Sequence, residues 1–202
     1  MLGVLAVLPL ASIAWGNLTA MRQTSFRRMI AYSSIAHAGY LFYAFLGAGP
    51  GRYEAIVFYL AVYGVMNVLA FVALPRGVDD KRQDRLDSLK GLFNRQPAAA
   101  IVIAAAMLSL AGVPPLPGFA AKFLIFRNVL AAGYTTYAVL GLVASYLGIY
   151  FYLRVIQYMF MSAQEPDAAG GKPRRLALLA AVLCTIPAIL LGLFPGWLLD
   201  LL

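Results

Sequence analysis

Between Pro97 and Ala132 the chain carries an apolar stretch too long to cross a bilayer once and too heavily interrupted to be one helix. About 35 residues of straight helix would run on the order of 50 Å, against a hydrocarbon core of about 30 Å. Inside it stands Val113-Pro114-Pro115-Leu116-Pro117-Gly118. Proline lacks the amide hydrogen a helix needs and clashes with the preceding turn, so Pro114, Pro115, Pro117 and Gly118 end one helix and begin another. The spacing predicts two half-helices about a non-helical break. In lipid, such backbone persists only where protein or a water-filled cavity surrounds it, so this segment is expected inside a bundle.

Five further stretches reach the roughly 20 residues needed to span a membrane. They run 2–21, 29–48, 55–74, 137–161 and 176–193. With the broken stretch at 97–132, the pattern predicts an all-α integral membrane fold of about six transmembrane helices, the fourth discontinuous. Composition agrees: 62% of the 202 residues are hydrophobic, 12% are charged, and mean hydropathy is +0.80. Soluble domains carry roughly 45–50% apolar and about 25% charged residues. The first segment lacks the basic start of a signal peptide and is read as a span. Cys184 lies alone in an apolar run and is read as a small buried side chain.

The formal net charge of +8 would suit nucleic acid, but its placement argues against that partner. Arg22, Arg27 and Arg28 fill the first loop. Arg76, Lys81, Arg82, Arg85, Lys90 and Arg95 fill the third, and Lys172, Arg174 and Arg175 the fifth. The second loop balances Arg52 against Glu54, and the fourth, Gly133–Thr136, is uncharged. By the positive-inside rule the odd loops are cytoplasmic and both termini lie outside. Loop three, Asp79–Gln96, is expected to form a short surface helix with a solvated charged face.

Lys122 lies four residues past Gly118 in otherwise apolar sequence. An ionisable group there is costly and marks a functional site. Desolvation disfavours its ammonium, as does the positive end of the half-helix starting near Gly118. An amine tuned toward neutrality can take up and release a proton. The plainer alternative is a lysine that snorkels to the interface. Ser33, His37 and Tyr40, at i, i+4 and i+7, share one helix face. There His37 is either a proton relay or a tether between helices. Tyr59, Tyr63 and Asn67 form a second polar stripe, and Tyr146, Tyr150, Arg154 and Gln157 a third; both are expected to face the bundle interior. Arg154 has the alternative of reaching the interface, and Glu54 and Arg127 are read as anchors near helix ends. The sequence has no glycine-rich phosphate loop with a following lysine, no cysteine cluster and no pair of helical histidines. ATP-driven pumping, iron–sulfur ligation and haem binding therefore find no residues here, and no metal site is expected.

The run Arg28-Met29-Ile30-Ala31-Tyr32-Ser33-Ser34-Ile35-Ala36-His37-Ala38-Gly39-Tyr40, with Gly16–Arg27 before it, resembles a signature of the antiporter-like subunits of respiratory complex I. Its wording is most similar to the subunit N branch of bacterial NADH–quinone oxidoreductase. Ser109–Phe123 resembles the family's discontinuous helix with its lysine, and Leu86-Asp87-Ser88-Leu89-Lys90-Gly91-Leu92 fits the same branch. The resemblance implies that Lys122 is the terminal proton carrier of a half-channel toward the outer face and that His37 belongs to a central polar axis. It implies neighbours in the complex's membrane arm and a place in the bacterial inner membrane. It also implies that NADH, flavin, iron–sulfur clusters and quinone are handled by other subunits, with no cofactor in this chain. The family has about fourteen helices in two inverted repeats, and residues 1–202 match its C-terminal six. The chain is therefore expected to be fragmentary or truncated relative to the family. Three functions stay open: proton translocation coupled to quinone reduction, cation/proton antiport, and a non-transporting scaffold.

Overall fold

In a computed structural model, residues 2–47, 49, 51–75 and 84–161 are described, with six positions between 179 and 190. Among the described residues the chain is helical, without strands. Helix α1 runs Leu2–Met21, α2 Phe26–Ala44 and α3 Gly51–Val72. A 3₁₀ turn at Leu86–Leu89 and the short α4, Leu92–Arg95, follow. Then come α5, Pro97–Ala111, α6, Pro117–Ala131, and α7, Thr135–Met161. The predicted span 176–193 lies mostly outside the described residues, as does Cys184; its six described positions are helical. By length and composition, α3 and α7 can each cross a membrane, while Val7–Met21 and α5 are shorter apolar helices.

Helix boundaries follow local chemistry. Pro97 and Pro117 open α5 and α6, where a missing amide hydrogen is harmless. Gly112 closes α5 in the left-handed conformation, φ 85°, with its amide donating to the Leu108 and Ser109 carbonyls. Helix α1 packs along α2 and against α7, α3 lies on α5 and α6, and α5 lies on α7. Small residues permit the close α1–α2 approach. A Cβ on Gly16 would stand 2.6 Å from the Ala36 amide nitrogen, and one on Gly39 would stand 2.8 Å from the Pro9 carbonyl.

Loop three differs from its expected form. Residues 79–83 lie outside the described set, and the remainder is two short turns rather than one surface helix. Gly91, at φ 64°, breaks the winding between them. Leu86, Leu89 and Leu92 are buried, so the segment is pressed against the bundle. Its Asp84 carboxylate accepts hydrogen bonds from the Ser25 hydroxyl and, at 3.0 Å, from the Arg27 amide. A carboxylate is well placed there, at the positive start of α2. Ser25 itself caps α2 by accepting from the Arg28 amide at 3.1 Å. The charges are thus partly spent fastening two loops together, which composition alone does not reveal.

Candidate functional site

The site forms where α5 stops and α6 starts. The Gly118 amide donates to Ser109 Oγ at 3.0 Å across the break, and Ser109 is fully buried. A Cβ on Gly118 would run into the Ser109 carbonyl oxygen and stand 2.6 Å from its carbon. Glycine is therefore what lets α5 and α6 meet. One turn further on, Lys122 is only 8% exposed. Its Nζ donates to the Ala111 carbonyl at 3.0 Å and to Ser145 Oγ on α7 at 3.3 Å, and lies 5.1 Å from the centre of the Tyr40 ring. The Ala111 carbonyl belongs to the negative end of α5, which suits an ammonium. Among the described residues no carboxylate pairs with Lys122; the ion pairs found involve Arg27, Arg85 and Lys90.

His37 lies beside it, 5% exposed. Its Nδ1 is 2.7 Å from the Tyr59 hydroxyl and its Nε2 is 3.0 Å from the Tyr152 hydroxyl. Tyr63 stacks on the imidazole at 4.5 Å, and Tyr40 meets it edge-on at 5.7 Å. Ser33 bonds to Tyr152. A small cavity touches His37, Tyr59, Tyr63, Ser109, Gly118 and Lys122, so the two ionisable groups border one space. Asn67 turns back to the Tyr63 carbonyl at 2.8 Å on its own helix.

The third stripe is a correction. Tyr146 and Tyr150 are 65% and 58% exposed, and Gln157 is exposed as well, so this face of α7 points outward. The inward face carries Gly141, Ala144, Ser145, Gly148 and Tyr152. Its small residues decide the matter, because they let other chains come close. A Cβ on Gly148 would lie 3.2 Å from Asn17 Oδ1, and Asn17 Nδ2 donates to the Ala144 carbonyl at 3.0 Å. Arg154 neither joins a polar interior nor reaches outward. It is half-buried and donates to the Met21 and Gln23 carbonyls at 2.9 and 2.6 Å, closing the C-terminal end of α1. Glu54 sits in the first turn of α3, and Arg127 is exposed near the end of α6. Sequence reasoning missed Asn17, Ser109, Ser145 and Tyr152. The readable signal for the last two was the small-residue row of α7, on which both lie. Phe substitution at Tyr146 or Tyr150 is expected to shift stability by no more than about 0.5 kcal/mol, checked by thermal melting in the same lipid.

The fold, helical throughout the described residues, and its buried polar cluster are those of a membrane protein of antiporter-like type. Residues 1–148 match the family model described as "NADH:quinone oxidoreductase/Mrp antiporter, TM", and the chain belongs to that family. It is 47% identical over 162 residues to NADH-quinone oxidoreductase subunit N of Pelobacter propionicus, covering 80% of this chain and 35% of that one. Its structure is similar to a chain of respiratory complex I from Thermus thermophilus solved with bound aureothin. That likeness has a TM-score of 0.84 at 36% identity and covers 99% of this chain and 45% of that one. It is also similar to a chain of the Mrp complex from Dietzia, with a TM-score of 0.83 at 25% identity, over 100% and 46% of the two chains. The chain thus spans less than half the length of these relatives.

Proposed function

We propose that this chain is a proton-translocating part of the membrane arm of a bacterial NADH–quinone oxidoreductase, coupled to quinone reduction in other subunits. One observation carries the reading: Lys122 is buried with no carboxylate pairing it among the described residues, held between the end of one half-helix and the face of α7. An uncompensated buried ammonium is costly. It persists where the charge is used. His37 shares its cavity and acts as the relay partner, with Ser33, Tyr40, Tyr59 and Tyr63 ordering the path between helices. The relatives named subunit N support the assignment to this arm. On this reading residues 1–202 correspond to the C-terminal half of the antiporter-like domain. They make six crossings, the fourth formed by α5 and α6 about Pro114–Leu116. The basic odd loops are cytoplasmic and both termini outside. Neighbouring membrane-arm subunits and lipid surround the chain, and NADH, flavin, iron–sulfur clusters and quinone bind elsewhere in the complex.

Lys122→Arg tests this. Guanidinium keeps its proton under all relevant conditions, so the variant complex is expected to lose proton pumping while still assembling. Acidification inside inverted vesicles, measured during NADH oxidation, reads the effect. A fully active arginine variant would make the residue a fixed charge and end the relay role. The likeness to the Mrp chain supports a second reading, cation/proton antiport. Sodium-dependent proton exchange in vesicles without NADH or quinone would favour it.

A further inference from the structure

The hydrogen bonds of His37 fix more than its position. His37 is the one histidine of the chain, and each ring nitrogen ends on a phenol: Nδ1 on Tyr59 of α3, Nε2 on Tyr152 of α7. The Tyr152 hydroxyl also meets Ser33. A neutral imidazole has one N–H and one lone pair, and each hydroxyl has a single hydrogen to give. Two arrangements share out these hydrogens. In one, Tyr59 donates to Nδ1, Nε2–H donates to Tyr152, and Tyr152 donates to Ser33. In the other every bond is reversed: Ser33 donates to Tyr152, Tyr152 to Nε2, and Nδ1–H to Tyr59.

The arrangements differ at their ends. The first leaves the Ser33 hydrogen over, and a helical serine can turn it to the carbonyl of its preceding turn. The second leaves over the Tyr59 hydrogen. Tyr59 is 2% exposed, and His37 is the one hydrogen-bond partner of its hydroxyl among the described residues. A buried donor without a partner is disfavoured.

We propose that Tyr152 is a positioning residue that holds the His37 proton on Nε2 and leaves the Nδ1 lone pair facing α3. His37 then takes up a proton at one nitrogen only, on the side of Tyr59. This rests on the relay role given to His37 above, yet its test does not depend on transport.

The full chain, labelled with ¹⁵N-histidine and placed in lipid bilayers, reports His37 alone. Solid-state NMR, at a pH where the imidazole is neutral, is expected to show Nε2–H favoured by about tenfold or more. Tyr152→Phe removes the acceptor for Nε2–H, and the ratio should fall toward about one. Ser33→Ala removes the acceptor for the Tyr152 hydrogen and should raise the Nδ1–H form. Tyr59→Phe should leave Nε2–H dominant. An Nδ1–H parent would overturn the proposal, as would a ratio unmoved by both Tyr152→Phe and Ser33→Ala. Normal pumping by a Lys122 variant would sink the transport reading and leave these ratios unaffected.

Discussion

Lys122→Ala is expected to lower proton pumping by at least about tenfold, since a positioned proton-transfer group contributes roughly 10²–10⁴ in rate. Assembly should survive. The substitution removes an amine that no carboxylate pairs with among the described residues, so it strands no buried opposite charge there. The Ala111 carbonyl and Ser145 hydroxyl each lose one contact. The measurement pairs proton uptake with the amount of assembled complex in the same membranes. Pumping at the parental rate in complexes of normal abundance would remove Lys122 from the path.

Gly118→Ala is expected to act at the opposite level, through the fold. The added methyl overlaps the Ser109 carbonyl, which sits in the last turn of α5 and cannot give way as a side-chain tip could. Overpacking costs about 1–3 kcal/mol and more where backbone must move. The chain is therefore expected to be depleted several-fold in membranes. Gly64→Ala is the control. Nothing lies within 4 Å of a Cβ at Gly64, and alanine in an exposed helix interior gains about 1 kcal/mol over glycine. Equal abundance of the two variants would show that the break tolerates a side chain, contrary to the geometry.

The helices were legible because a bilayer asks for apolar runs of a set length, and proline imposes an end. The expected span 2–21 coincides with α1, and the non-helical stretch between Ala111 and Pro117 takes in Pro114 and Pro115 of the interruption expected at Pro114–Gly118, whereas Pro117 and Gly118 open α6. Within those helices polarity misled at α7. Tyr146, Tyr150 and Arg154 make an attractive stripe, yet a tyrosine carries enough apolar surface to stand outward. What turns α7 is how closely its neighbours must approach, and that is written in Gly141, Ala144 and Gly148 rather than in hydroxyl groups. Asp84 shows a second limit. Its role as a cap on α2 joins residues 59 positions apart, so no local pattern announces it.

The amine at the helix break has three hydrogens and three takers: the last carbonyl of α5, a hydroxyl on α7 and a ring face on α2. Once a proton departs, only two hydrogens remain. One of the three helices must then release its hold, or the lone pair must turn toward a donor that was not facing it. Charge and shape at this point are therefore a single variable, and any reading of one is a reading of the other.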